Sequence, residues 1–591
     1  MEEIESRLLR LCIESACRSG DAVEKWRMQR RTLERLPSPL ADALLRRLLQ
    51  RRLLSPSLLE VFKSCVEEVD LRGEISVDAE WMAYLGGFRY LRCLNVADCH
   101  RITSSALWAI SGMANLKEVD LSRCVKVTDA GIRHLLSIST LEKLRISETG
   151  VTADGIALLA SLSNLSTLDL GGLPVNDKAL NSLQVLTKLQ HLDLWGSDLS
   201  DNGVILLEKF PKLSFLSLAW TKVTTLPNLS SLECLNMSNC TIKSILGGTG
   251  DKAPLVKLQI AGATLPNEAE AFMHLEPSFL TFLDASQTRI PRFYFLSSMK
   301  SLEWLDLSSS GIGDDSVELI AQIGGNLRNL NLNNTGVTSS GVGILAGFVP
   351  NLEIFSLSHT SVDDIAIAYI SVIPKLRAID LSHTRVKGFI NYGNAEPDKV
   401  YSLTALQSLR LERLNLEQIH VQDDALCSLL DFPELRHLFL QSAYLTDLSL
   451  HHWSSLRCLK TLGFRDAVLT NNGLDSFKPP ASLELLDLRG CWLLTEDAIL
   501  LFHRKHPQLE LKHELIHISA SDHPPSNFPS KSQFNRRTPP VNINSEKLCL
   551  SPTFVDQRLK YNREELLALR YSSLSLPLNH RDGAIFKLPM D

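Results

Sequence analysis

The residues most able to do chemistry in this 591-residue chain are its sixteen histidines and twelve cysteines, and their spacing argues against catalysis. The sequence holds no His-Glu-x-x-His pair for a hydrolytic metal, no Gly-x-Ser-x-Gly turn for an activated serine and no glycine loop for phosphate. His359 and His383 recur at equivalent places in successive sequence units. A metal would need a third ligand and none is evident, so they read as stacked polar side chains. No two cysteines are spaced Cys-x2-Cys, as a zinc site would require. The start, Met1-Glu-Glu-Ile-Glu5, lacks the apolar core of an export signal, so the cysteines are expected to be reduced thiols of a cytoplasmic protein. We therefore expect no enzyme, no cofactor and no metal.

What remains is the chemistry of binding. Near the C-terminus, Tyr561-Asn-Arg-Glu-Glu-Leu566-Leu567-Ala-Leu-Arg570 joins an aromatic anchor to two leucines in a run with no proline or glycine. That composition predicts a helix over 556–571, too short to be stable alone and suited to docking in a partner's groove. Leu574, Leu576, Leu578, Ile585 and Phe586 offer a second apolar contact downstream. At the other end, Leu8, Cys12 and Ala16 are spaced to share a helical face. Leu36, Pro37, Leu40 and Leu44 follow, with proline at a helix start.

The elements that carry these segments come from self-similarity. Leu116-Lys-Glu-Val-Asp-Leu-Ser-Arg-Cys124 returns as Leu141-Glu-Lys-Leu-Arg-Ile-Ser-Glu-Thr149 and again from Leu165 and Leu189. Unit-opening leucines are read at 91, 116, 141, 165, 189, 213, 232, 255, 280, 302, 327, 352, 376, 406, 435, 459 and 483. A degenerate unit opens at Val66 and a fragment closes at Leu509. Leu-x-x-Leu-x-Leu is a short strand with its leucines turned inward. The ninth residue (Cys99, Cys124, Thr149, Cys240, Thr335, Thr360, Thr384, Cys491) is read as turning the chain and satisfying backbone groups. A segment such as Val127-Thr-Asp-Ala-Gly-Ile-Arg-His-Leu-Leu136 then gives a helix that starts at Thr128 or Asp129. The pattern resembles the ribonuclease-inhibitor-like and cysteine-containing leucine-rich repeats. The resemblance implies an α/β horseshoe solenoid of about 18 repeats over 66–515. Residues 1–65 form its helical cap, 516–555 a disordered linker and 556–591 a tail with the short binding helix, the tail being otherwise mostly disordered.

Two irregularities stand out. The unit from Leu213 is too short for a helix after Val223, and the units from Leu376 and Leu406 are long, the first carrying Gly388-Phe-Ile-Asn-Tyr-Gly-Asn-Ala-Glu-Pro397. The fifth and seventh places of each unit are read as the solvent-facing ones. The fifth is often acidic (Asp120, Asp169, Asp193, Asp284, Asp306, Asp380, Asp487), read first as a solvated ladder and otherwise as a docking surface for a basic partner. Trp195, Phe215 and Trp220, with His191 near, then form an exposed aromatic cluster suited to binding a protein.

Charge excludes one class of partner. Residues 1–66 hold 13 Lys/Arg against 9 Asp/Glu, and 520–591 hold 10 against 7, within a formal net charge of −6. The repeats between are strongly acidic, the wrong sign for a nucleic-acid groove. No run approaches eighteen apolar residues, so no membrane span is expected.

Two further resemblances follow. The Tyr-x4-Leu-hydrophobic segment is similar to the motif by which partners bind the cap-binding translation initiation factor 4E. With the repeats before it, the chain resembles the plant CERES-type leucine-rich-repeat proteins. That implies an adaptor whose Tyr561, Leu566 and Leu567 contact the factor, with Leu574, Leu576, Ile585 and Phe586 as the accessory contact. The alternative is that Leu8, Cys12 and Ala16, then Leu36, Pro37, Leu40 and Leu44, look like the elongin and cullin boxes of the Zyg-eleven receptors of cullin-RING ubiquitin ligases. Two departures stand against it. Arg7 sits where that family prefers a small or apolar residue, and the armadillo domain that follows the repeats there is absent.

If the register is right, Leu121→Asp or Leu170→Asp places a charge inside the packed ladder and unfolds adjoining units. Circular dichroism melts should show a lowered midpoint; melts that match the parent would refute the register.

Overall fold

The computed structural model describes residues 11–20, 23, 25–26, 36–248, 252–390, 400–515 and the pairs 555–556 and 561–562. The chain divides into two compact units, Met1–His517 and Ile518–Asp591. The first is an α/β leucine-rich-repeat solenoid.

Its spine is a parallel sheet of nineteen short strands, from Glu68–Asp70 to Glu510–Lys512. Residue four of each unit pairs with residue four of the next: Val69 with Leu94, Leu94 with Val119, Val119 with Leu144. The leucines at places one, four and six are buried throughout, as Leu116, Leu141, Leu144, Leu168 and Leu170 illustrate. One reading needs correction. Leu414, not Leu409, pairs with Ile379, so the unit after Leu376 opens at Leu411 rather than Leu406. Leu406 belongs to the 3-10 turn Ser402–Ser408 on the convex side. Both leucines are buried, so apolarity alone does not separate them; only strand pairing does. The lengthened unit also carries a small hairpin, Phe389–Ile390 against Val400–Tyr401.

Three recurrent devices close each unit. The Asp or Asn at the fifth place ends the strand by accepting a hydrogen bond from the backbone N–H two residues on: Asp120 from Ser122 (3.0 Å), Asp169 from Gly171 (3.0 Å), Asn331 from Asn333 (3.1 Å). The eighth residue is then left-handed even where it is not glycine, with φ of 61° at Asp98, 63° at Arg123 and 57° at His359. That geometry costs roughly 1–2 kcal/mol per residue. Its N–H continues the inter-repeat ladder, Asp98 donating to Ser122 and Arg123 to Ser147. At the ninth place threonine donates to the carbonyl of its own sixth residue, as Thr360 to Leu357 (2.6 Å). Cysteine reaches instead to the sixth residue of the preceding unit, as Cys99 to Leu71 (3.1 Å) and Cys124 to Val96 (3.2 Å).

The convex side is clamped between the segments that start successive helical turns, by an aspartate of one unit and a threonine or serine of the next. Asp129 accepts from both the N–H (2.8 Å) and the hydroxyl (2.6 Å) of Thr152 in the next unit. Asp314 does the same for Thr338, Asp423 for Thr446 and Asp447 for Thr470. Asp177 serves Ser200 likewise. A glycine three residues after the Thr or Ser (Gly155, Gly203, Gly341, Gly473) makes room, because a Cβ there would collide with that carboxylate. In the short unit the helix gives way to a strand, Thr225–Pro227, paired with Ser244–Gly247 of the following unit. Before the repeats, the helix Ser38–Gln50 buries Ala41, Leu44, Leu45 and Leu48.

In the second unit, Val555–Asp556 pairs antiparallel with Tyr561–Asn562. The described backbone at 556 and 561–562 is extended, and the rest of the helix expected over 556–571 lies outside the described residues.

Gly203→Ala should destabilise the solenoid by about 1–3 kcal/mol through overpacking on Asp177. Gly203→Ala with Asp177→Ala should cost less than the sum of the two single changes. Urea melts of the four proteins test this; strict additivity would refute the clamp.

Candidate functional site

The third and fifth residues of each unit face the concave surface, the fourth faces the core; the common burial pattern is half-buried, buried, half-buried. The seventh residue does not belong with them. It is mostly Ala, Ser or Gly in the turn, buried at Ala97, Ser147 and Ala219, and stays in the strand only at Glu417, Gln441 and Arg465 among the described residues.

Trp195 occupies that seventh place, so its reading as an exposed anchor is corrected: it is only 5% exposed. Its indole lies across Gly171 and Gly172 of the preceding unit, against the space a Cβ at Gly171 would need. The two glycines leave a trough and the tryptophan fills it. Trp220 sits one place later in its unit, half-buried, with φ of 60°. Phe215 and His191 hold third places on paired strands and do share the concave face. Their rings stack at 3.8 Å between centroids and 5° between planes. Burial lowers the pKa of His191, which keeps the imidazole neutral against phenylalanine.

The third places also hold residues missed in the sequence. Phe282 and Trp304 stack at 3.9 Å and 4°, and the Lys257 ammonium lies 4.3 Å from the Phe282 centroid. Further along, the Arg413 guanidinium lies 5.2 Å from the centroid of Phe439. The signal was available: the third position of Leu-x-x-Leu, read down the units, gives His191, Phe215, Cys234, Lys257, Phe282 and Trp304 in sequence.

The acidic fifth places have a structural duty in the strand-ending turn, yet their charge remains on this face. Burial, and then the neighbouring charge of Asp306, raise the pKa of Asp284. Beside the third places, the second places form an ion-pair ladder in two stretches. Arg92 meets Glu67 and Lys117 meets Glu142; much later Arg328 meets Glu303 and Glu353, and Arg377 and Arg436 meet Glu412. Between them the second places are Ser166, Gln190, Ser214, Glu233, Val256 and Thr281. The ladder thus lapses over the repeats that carry His191, Phe215 and Phe282, and resumes at Glu303 beside Trp304.

His359 and His383 stack at 3.9 Å with 13° between planes. Among the described residues no group of three His, Cys, Asp or Glu could hold a metal ion. Burial pushes the thiols of Cys99 to about 11 and of Cys124 and Cys491 to about 12, so none is a thiolate nucleophile.

Of the N-terminal candidates, Cys12 is exposed, Ala16, Leu36 and Leu40 are half-buried, Leu44 is buried and Pro37 is exposed at the helix start. Leu8 lies outside the described residues, as do Leu566, Leu567, Leu574, Leu576, Ile585 and Phe586; Tyr561 is described in its backbone alone.

The leucine-rich-repeat family model matches at residues 112–136 and 298–321. No curated protein matches the sequence. Solved structures similar to the chain include an internalin of Listeria monocytogenes, 19% identical, spanning 59% of this chain and 98% of that one with a TM-score of 0.38. A TLR13 complex with single-stranded RNA is 18% identical over 68% and 60%, with a TM-score of 0.46. A leucine-rich-repeat protein of Leptospira interrogans is 15% identical over 76% and 95%, with a TM-score of 0.37.

Trp195→Ala should lower stability by about 3–5 kcal/mol, the cost of emptying a buried indole site, whereas Trp304→Ala should cost under about 1 kcal/mol. Thermal melts of both proteins check this; equal losses would refute the difference in placement.

Proposed function

We propose that this leucine-rich-repeat solenoid is a cytoplasmic protein-binding adaptor, not an enzyme, that joins the cap-binding translation initiation factor 4E to proteins held on its concave face and so modulates translation initiation. The observation that carries the reading is the sequence Tyr561-x4-Leu566-Leu567, in a stretch belonging to a compact unit separate from the repeats. A short segment outside the packed solenoid can fold into a helix as it docks. The cost of ordering it offsets part of the gain from burying three large side chains, each contributing on the order of 1.5–3 kcal/mol. The concave face supports the second half of the reading with stacked, half-buried aromatic rings, the side-chain type that dominates protein interfaces.

A second reading, substrate receptor of a cullin-RING ubiquitin ligase, is favoured by the exposure of Cys12. It is opposed at Leu44, which is buried and so could not also serve a cullin.

Calorimetric titration of a 550–591 peptide against initiation factor 4E should give a Kd of about micromolar to tens of nanomolar. Tyr561→Ala with Leu566→Ala should weaken it at least about a hundredfold, equivalent to about 2.7 kcal/mol. Absence of heat and of competition with an established motif peptide would overturn the adaptor reading; parallel capture of elongin C would favour the second.

A further inference from the structure

The concave window between the two ion-pair stretches has its own chemistry. Two flat aromatic stacks, His191–Phe215 and Phe282–Trp304, rise from the third places. Carboxylates stand two residues from them along the same strands: the half-buried Asp284 beside Phe282 and Asp306 beside Trp304, and the buried Asp193 beside His191. Each carboxylate is anchored by a turn hydrogen bond, from Trp195 (3.0 Å), Ser286 (3.1 Å) and Ser308 (2.8 Å), so its position is set before any ligand arrives. The protein already uses this combination on itself: Lys257 lies over Phe282, beside Asp284. Aromatic face and nearby carboxylate together are what a cation takes, through the ring quadrupole and through charge. The same carboxylates oppose a phosphate backbone, which decides between a peptide and a nucleic acid. Arg145, which pairs across the sheet with Asp169, marks the N-terminal limit of the window.

We propose that this window binds an extended basic segment of a partner protein, with two arginine side chains stacking on Phe215 and Trp304 under the charge of Asp193, Asp284 and Asp306. The inference deepens the adaptor reading by naming the chemistry of the partner on the solenoid, and rests on that part of it. Phe215 and Trp304 stand four strands apart, about 19 Å at a strand spacing of about 4.8 Å. An extended chain advancing about 3.3 Å per residue covers that distance in about six residues. Arginine suits the site better than lysine because its planar guanidinium stacks and pairs at once.

The test uses the full chain and three fluorescein-labelled probes: a Gly/Ser peptide with two arginines six residues apart, the same peptide with glutamates, and a single-stranded oligouridylate. The arginine peptide should bind, with anisotropy falling as salt rises, and the other two should bind at least about tenfold more weakly. Trp304→Ala with Phe215→Ala should reduce arginine-peptide affinity at least about tenfold. Asp284→Asn with Asp306→Asn should do the same while the thermal midpoint stays put, because asparagine supports the same turn at Asn236 and Asn331. Preference for the glutamate peptide or the oligouridylate would overturn the proposal, as would equal binding of all three or indifference to both double variants. None of these outcomes touches the titration of the tail peptide, so failure here is distinguishable from failure of the adaptor reading.

Discussion

Every other feature of the solenoid depends on the unbroken parallel backbone pairing between units. A single Leu-x-x-Leu-x-Leu strand is too short to hold itself, and its leucines can be buried only between neighbouring units. The pairing therefore has to survive the turn that ends each strand. It does so through the left-handed eighth residue, whose N–H donates to the next unit, as Trp220 donates to Ser238 and His359 to Ser382. The conformational cost is met at unit after unit by that hydrogen bond and by the carboxylate or amide of the fifth residue. The acidic row on the concave face is thus first a consequence of folding, and only second a source of binding charge.

The same pairing makes the concave surface readable. Third-place residues of successive units lie side by side one strand spacing apart, close enough for flat rings to stack. His191 on Phe215 and Phe282 on Trp304 are stacked because the sheet brings their Cα atoms into register. From Ser166 to Thr281 the second places carry one charge, Glu233, and the ion-pair ladder resumes at Glu303 beside Trp304.

The convex side follows different rules. There the Asp-to-Thr clamp links units, and the carboxylate of the preceding unit is met by glycine at Gly155, Gly203, Gly341 and Gly473 and by Ser449, whose hydroxyl donates to Asp423, at a fifth clamp. The short unit lacks both a helix and the residues to make one, and replaces them with a strand pair. The unit that opens at Leu376 is long enough to hold a hairpin of its own. Both irregularities leave the concave ladder intact, since insertions and deletions on the convex side do not alter strand pairing.

The sequence by itself determined the solenoid, the inward leucines, the turn-forming ninth residues and the loss of a helix after Val223, because each depends on local periodicity or on chain length. Tertiary structure decided what depends on a neighbour. Leu406 and Leu411 are equally apolar, and pairing with Ile379 selects Leu411 as the unit opening. Trp195 had the type of an exposed anchor, but Gly171 and Gly172 of the unit before it leave a trough that buries it. Phe282 and Trp304 were visible as residues and not as a stack, since they come together only when two strands 22 residues apart in sequence lie in register. Periodicity reports which way a side chain points along its own strand; which residue of the next unit it meets is settled by the pairing between strands.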